Sequence, residues 1–117
     1  MPRANSRGFA RAVDAKQRAV HKIHVRYNGA TNTIINGAGE VSLTDNGGTG
    51  DHTLTLAIPA KRMLCVTAMG EEADTACAAA NVTTSSVDIL VTDLAGTAKD
   101  ATVSVEITVS DDSDEKY

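Results

Sequence analysis

Aromatic side chains are scarce in this sequence, which has no tryptophan, a single phenylalanine at position 9, and tyrosines only at positions 27 and 117. Aromatic residues bury the largest areas in protein cores, and they also provide the surfaces on which sugar rings and nucleic-acid bases stack. Their scarcity therefore predicts a thin core of small aliphatic residues. It also argues against a carbohydrate-binding module and against a nucleic-acid binder.

Cysteines and long apolar runs are scarce as well. Two cysteines, Cys65 and Cys77, are too few for a disulfide-dense secreted scaffold, and we expect both to be buried free thiols. No stretch approaches the ~20 apolar residues of a membrane span, and no apolar segment follows the basic start as it does in a signal peptide. We therefore expect a protein made in a reducing cytosol that does not bind a membrane.

Charge is abundant but unevenly distributed along the chain. Residues 1–27 carry seven Lys/Arg and one acid, a net charge of +6, whereas residues 28–117 carry four Lys/Arg and fourteen acids, a net charge of −10. Residues 111–117 alone contain four of these acids, which predicts a solvated acidic tail. The acidic remainder would repel a nucleic acid that the basic segment attracts, so nucleic acid is an unfavoured partner.

The first 19 residues form a basic N-terminal arm that we expect to be extended or short-helical and to become ordered by contact. Arginine outnumbers lysine five to two in residues 1–27, and guanidinium groups bind carboxylates through two parallel hydrogen bonds. These features predict binding to an acidic protein surface, with nucleic acid or a solubilising role as alternatives. The predicted binding residues are Arg3, Arg7, Phe9, Arg11, Val13, Lys16, Arg18, Lys22 and Arg26.

Residues 20–110 have the pattern of a β domain. Apolar residues alternate with polar ones in the stretches that hold Ile23, Val25 and Tyr27, then Leu54, Leu56 and Ile58, then Val87, Ile89 and Val91, and then Val103, Val105, Ile107 and Val109. The apolar run in residues 62–69 predicts a strand covered on both faces. Turn signals separate these runs, and residues 70–85 form a long connection between sheets. The pattern predicts a single antiparallel β-sandwich or partly open barrel of six to seven short strands.

No motif for catalysis, metal binding or a cofactor is evident, and we expect none of these functions. His21 and His24 would point to opposite faces of a strand, so they would not bind one ion together, and we expect the histidines to be exposed or to face a partner. The glycine-rich stretch at residues 45–51 lacks the Lys-Ser/Thr ending of a phosphate-binding loop and precedes a strand, which favours a hairpin. We expect Asp45, Asp51, Asp88 and Asp93 to be carboxylates of turns.

Three stretches together resemble a known kind of protein: "VSLTDNGGTGDHTLTL", "ADTACAAA" and "VTDLAGTAKDATVSVEITVS". This order of a glycine-rich hairpin, an Ala-rich loop and a closing hairpin is similar to that of small bacteriophage virion proteins of the capsid decoration (cement) type. His52 departs from that pattern, because an aromatic residue usually leads the "TLTL" strand.

The resemblance implies a structural, non-enzymatic role on the capsid surface of the virion, after assembly in the host cytoplasm. It implies a homo-oligomer, most plausibly a homotrimer, whose N-terminal arms bind the major capsid protein. Other virion roles, as a head–tail connector, tail or fibre protein, remain open from the sequence, as does an adhesion or carbohydrate-binding sandwich.

Overall fold

The computed structural model describes Ala12–Val13 and residues 19–111, which form nine β-strands in two antiparallel sheets. The strands are β1 (Ala12–Val13), β2 (Ala19–Asn28), β3 (Thr33–Asn36), β4 (Val41–Asp45), β5 (Asp51–Leu56), β6 (Arg62–Gly70), β7 (Ala76–Ala80), β8 (Ser86–Thr92) and β9 (Thr102–Ser110). The described part of the chain contains no helix long and apolar enough to cross a membrane. The predicted mainly-β sandwich is confirmed.

Sheet A consists of five strands and is organised around β2 and β9. These two strands pair over nine residues, from Val20 opposite Ser110 to Asn28 opposite Thr102. β6 pairs with the other edge of β9, while β1 and β3 both pair with the remaining edge of β2. Because β2 and β9 run antiparallel, the start of β2 and the end of β9 lie at the same end of the sandwich, which we call the arm end.

Sheet B consists of four strands in the order β4–β5–β8–β7. β4 and β5 form the hairpin that the glycine-rich turn predicts, with Val41 opposite Leu56 and Asp45 opposite His52. Residues 71–75 lead from β6 of sheet A to β7 of sheet B, so the long connection does cross between the sheets.

The core lies between the inward faces of the two sheets and consists mainly of small aliphatic side chains. Among the described residues, eight of the fifteen buried apolar side chains are valines, and Tyr27 is the one aromatic side chain of this set. The alternating stretches that the sequence identified contribute most of these residues: Ile23, Val25, Tyr27, Leu54, Leu56, Val87, Ile89, Val91, Val103, Val105, Ile107 and Val109. At roughly 25 cal/mol per Å², each valine stabilises the fold less than a larger side chain would.

Three of the nine strands were not expected from the sequence. β1 is a two-residue pairing within the arm, β3 lies among turn residues, and β7 is the Ala-rich stretch that we expected to be loop. Alanine and asparagine are depleted in strands, so these segments carry little local signal. These three segments are strands because their backbones form hydrogen bonds with neighbouring strands.

Two expectations about burial were wrong. β6 is not covered on both faces but forms the edge of sheet A, and its residues alternate between half-buried and exposed over Leu64–Gly70. Ile58 does not continue the inward face of β5, because that strand ends at Leu56 and the Ile58 side chain is 82% exposed. Ile58 therefore lies on an open surface at the arm end.

The opposite end of the sandwich is held together by backbone contacts around Gly50. Its carbonyl accepts a hydrogen bond from the Val91 N–H at 2.9 Å, and its own N–H donates to the Asp100 carboxylate at 2.8 Å. Gly50 has a φ of +70°, and a Cβ at this position would lie 2.7 Å from the Lys99 carbonyl oxygen and closer still to that of Val91. Only glycine fits here without displacing backbone.

We predict that Gly50→Ala lowers the free energy of unfolding by about 3 kcal/mol or more, because it combines an unfavourable φ with backbone clashes. Gly47→Ala is the matched control. Gly47 also has a positive φ, +92°, but no atom lies within 4 Å of its Cβ position. Gly47→Ala should lower the free energy of unfolding by only ~1–2 kcal/mol. Urea unfolding of both variants gives the comparison, and equal losses would contradict the packing argument.

Candidate functional site

The predicted binding residues lie in three parts of the chain. Arg3, Arg7, Phe9, Arg11, Lys16 and Arg18 lie outside the described residues. Val13 belongs to β1, whose backbone pairs with Ala19 and Val20 of β2. Lys22 and Arg26 lie on β2 itself, so the structure separates them from the rest of the arm.

Lys22, His24 and Arg26 share the outer face of sheet A, as their alternation with buried Ile23 and Val25 requires. Glu106 of β9 lies directly opposite His24 in the register. Its carboxylate lies 3.5 Å from His24 Nε2 and 4.0 Å from Lys22 Nζ. The Lys22 cation and the Glu106 carboxylate thus lie on neighbouring strands, which favours the pairing of β2 with β9.

Arg26 forms the tightest ion pair in the described part of the chain. Its Nε and Nη2 atoms each donate a 2.6 Å hydrogen bond to the Glu71 carboxylate, and the Ser104 hydroxyl donates a further one. The hydrogen bonds from Arg26 and Ser104 lower the pKa of Glu71 from 4.5 to about 2. The same pair raises the pKa of Arg26. Arg26 therefore already holds a carboxylate within its own domain.

A shallow cleft of about 380 Å³ runs over this outer face, and we call it the outer cleft. His24, Arg26 and Asn36 line one side, while Met69 and Glu106 line the other. Met69 is 65% exposed and is the large apolar group of this surface. The described residues contain no group of three or more potential metal ligands. The outer cleft thus offers a contact surface of paired ions around one flexible apolar side chain.

His52 is the polar residue that sequence reasoning misplaced. We expected an exposed or partner-facing histidine, but His52 is 2% exposed and lies on the inward face of β5 with Leu54 and Leu56. Its Nε2 lies 2.6 Å from the Asn32 side-chain oxygen, and Asn32 in turn donates to Asp45 at 3.0 Å. The alternation of residues 52, 54 and 56 contained the signal for this burial.

Tyr27 packs beside His52, with ring centroids 5.5 Å apart. Burial raises the pKa of the Tyr27 hydroxyl above its usual range. Neither that hydroxyl nor His52 Nδ1 has a hydrogen-bond partner among the described residues. Because Asn32 lies in the turn between β2 and β3, the hydrogen bond from His52 ties this turn to sheet B. We assign His52 and Tyr27 to the core of the domain.

The two cysteines are free thiols in different environments. Cys65 is exposed on β6, which contradicts its expected burial, whereas Cys77 is partly buried and packs against the core. Burial raises the pKa of the Cys77 thiol.

The turn carboxylates hold backbone and side-chain donors in place. Asp45 accepts a hydrogen bond from the Gly47 N–H, and Asp93 accepts from the Ala95 and Thr97 N–H groups, all at 2.9 Å. Asp88 accepts hydrogen bonds from Thr53 and Asn81 side chains, and both bonds lower its pKa. Asp45 and Asp93 therefore stabilise turns, as expected. The expectation for Asp88 was wrong, because it lies inside β8 and pairs with Thr53 of β5.

Comparison of the chain with protein-family models, with curated proteins and with solved structures found no match. The likeness to capsid decoration proteins therefore stays a prediction from the sequence. The charge distribution and the surfaces described above are the features that bear on function.

We predict that the Arg26–Glu71 pair makes stability depend on pH. Because the pKa of Glu71 is lowered in the folded state, its contribution is fully present above pH 4.5 and declines as the pH falls toward 2. Glu71→Gln and Arg26→Gln should each flatten the decline in unfolding free energy over this range, measured by urea unfolding. An unchanged pH profile in both variants would contradict the role of the pair.

We predict that His52→Ala lowers the free energy of unfolding by about 2–4 kcal/mol, because it leaves a cavity and removes the partner of Asn32. His24→Ala is the control, since His24 lies on the exposed face of the same sandwich and should change stability by no more than ~0.5 kcal/mol. Thermal unfolding of both variants tests the assignment. Equal small effects would show that His52 is not a core residue.

Proposed function

We propose that this protein is a capsid decoration (cement) protein that binds the outer surface of an assembled bacteriophage shell. In this role the basic arm, residues 1–19, contacts neighbouring copies of the major capsid protein, and the sandwich serves as a non-enzymatic body. The observation that carries the proposal is how positive charge is distributed along the chain. The cations of β2 have acidic partners on their own domain, whereas the arm holds five Lys/Arg and one acid.

The pairing within sheet A supports this division of roles. Arg26 donates two hydrogen bonds to Glu71, and Lys22 lies near Glu106. If either cation bound an external partner instead, its carboxylate would lose that cation. The remaining arginines of the arm have no comparable set of acids nearby in the sequence. An acidic partner surface would supply those carboxylates, which guanidinium groups bind in a bidentate manner.

We also propose that the protein forms a homotrimer on the shell. Its core is built from valines rather than aromatic residues, so contacts with further copies would add buried apolar area. Ile58, Leu94 and Met69 are large apolar side chains that the single chain leaves more than half exposed. Several arms on one oligomer would bind several capsid subunits at once, which raises avidity without strengthening any single contact.

The proposed mechanism is mechanical. An oligomer whose arms hold neighbouring capsid subunits resists their separation when the packaged genome presses outward. Each arm contact is weak by itself, because exposed ion pairs contribute only ~0.2–1 kcal/mol each. The resistance comes from the number of contacts rather than from the strength of any one.

We predict that the full-length variant Arg3→Gln/Arg7→Gln binds assembled shells of the encoding phage about tenfold more weakly than the natural chain. Two lost charge contacts of ~0.7 kcal/mol each correspond to that factor. Co-sedimentation of the purified protein with shells over a concentration series measures the affinity. The loss should shrink as salt rises, because screening weakens the same contacts.

The matched control removes two cations outside the arm, one from the body and one from the acidic tail, in the variant Lys61→Gln/Lys116→Gln. The control has the same net charge as the arm variant, so a general effect of net charge would weaken the shell binding of both variants equally. The proposal requires shell binding of the control to stay within about twofold of the natural chain. Equal weakening of the two variants, or no binding of the natural chain to shells, would overturn it.

A further inference from the structure

Three Asn-Gly pairs lie in the described part of the chain: Asn28-Gly29, Asn36-Gly37 and Asn46-Gly47. An asparagine followed by glycine is chemically reactive, because the backbone nitrogen of the glycine can attack the side-chain amide carbon of the asparagine. Glycine has no Cβ to obstruct this approach and leaves the backbone free to adopt the required conformation. The contacts of each pair in the folded chain therefore determine how fast it reacts.

Both reacting groups of the first pair are held by hydrogen bonds. The Gly29 N–H, whose nitrogen would attack, donates a 2.9 Å hydrogen bond to the Ala101 carbonyl oxygen, and Gly29 is buried. The Asn28 side-chain oxygen accepts hydrogen bonds from the Ala30 N–H at 2.9 Å and the Thr31 N–H at 3.3 Å. Ring closure at Asn28 therefore requires this part of the structure to open first.

The third pair is held as well, although it lies in an exposed turn. The Gly47 N–H donates a 2.9 Å hydrogen bond to the Asp45 carboxylate. The Asn46 side-chain nitrogen donates to the Asp51 carboxylate at 3.0 Å and to the Thr53 hydroxyl at 2.8 Å. These bonds fix the amide away from the attacking nitrogen, so Asn46 also requires local opening before it can react.

The second pair is the least constrained of the three. Asn36 is exposed and is the last residue of β3, beside an irregularity in the register between Arg26 and Tyr27 of β2. Such irregularities disrupt the ladder of backbone hydrogen bonds locally. Gly37 has already left the strand, with a φ of +95°. Within the described part of the chain, no hydrogen bond comparable to those of the other two pairs engages the Asn36 side chain or the Gly37 N–H.

We propose that Asn36 is a site of spontaneous deamidation. The Gly37 nitrogen, after losing its proton to solvent, attacks Asn36 Cγ, and a bond forms between these two atoms. The bond between Cγ and Nδ2 then breaks, and the amide leaves as ammonia, which leaves a five-membered succinimide. Water opens this ring at either carbonyl, giving aspartate or isoaspartate. The net reaction consumes one water and releases one ammonia, so it needs no oxidant and no enzyme.

Deamidation at this position would add a carboxylate to the outer cleft. Asn36 lines that cleft together with His24 and Arg26, and it lies opposite Arg26 in the register. An aspartate at position 36 would offer Arg26 a second carboxylate besides that of Glu71. The isoaspartate product would also lengthen the backbone by one carbon atom at the end of β3. The outer cleft would therefore become more acidic as the protein ages.

Peptide mapping of the purified full-length chain tests this proposal. Trypsin cleaves after Arg26 and Lys61, and the resulting peptide, residues 27–61, contains all three Asn-Gly pairs. Fragmentation in a mass spectrometer then assigns each conversion of an amide to a carboxylate to one asparagine. After incubation in mildly alkaline buffer, Asn36 should convert at least about tenfold faster than Asn28 and Asn46, because the hydrogen-bonded sites react only after local opening.

The same chain in concentrated urea is the control. Unfolding removes the hydrogen bonds that protect Asn28 and Asn46, so the three pairs should then convert at rates within about threefold of one another. Conversion of Asn28 or Asn46 as fast as Asn36 in the folded chain would overturn the proposal. So would the absence of conversion at Asn36 in the folded chain under conditions in which the unfolded chain reacts.

Asn36→Gln provides a second test, because the longer side chain would have to close a six-membered ring, which forms more slowly. The natural chain should accumulate a more acidic form during incubation, as measured by ion-exchange chromatography, and Asn36→Gln should lose most of it. Freshly prepared Asn36→Asp should elute with that acidic form. Equal accumulation in Asn36→Gln would contradict the assignment. None of these measurements involves shell binding, so the modification and the proposed capsid function succeed or fail separately.

Discussion

The pairing of β2 with β9 is the constraint on which the rest of the structure depends. Nine consecutive residue pairs join these strands, and their inward faces supply seven of the buried apolar side chains from Ile23 to Val109. Because the two strands are antiparallel, the arm and the acidic tail are attached at one end of the sandwich. Val20 and Ser110 are therefore direct neighbours in sheet A, although they are far apart along the chain.

This arrangement divides the charges of the protein into two kinds. Within sheet A, carboxylates such as Glu71 and Glu106 hold the cations of β2 in fixed geometry, and these pairs serve the fold. Residues 1–19 add five Lys/Arg and one acid to the chain. Under the proposed function, the cations of β2 would serve the fold, and those of residues 1–19 would serve attachment.

The sequence predicted the parts of the fold that depend on local alternation, and it failed where the outcome depends on distant residues. The alternating stretches of β2, β5, β8 and β9 identify the core because a strand places every second side chain on one face. The apolar run of β6 could not reveal an edge position, which depends on sheet order. His52 followed the alternation of its strand, yet its partner Asn32 comes from another turn. Arg26 was predicted as a binding residue, whereas its partner Glu71 lies 45 positions away.

Because the two thiols differ in exposure, one of them can be labelled to determine how the protein is oriented in an assembly. Cys65 is open to solvent on sheet A, whereas Cys77 is partly buried with a raised pKa and so forms the reactive thiolate less readily. A maleimide dye or a small gold cluster would attach to one defined face of the natural chain without any substitution. The position of the label in images of an assembly would then show whether sheet A faces solvent or faces the surface to which the protein is bound.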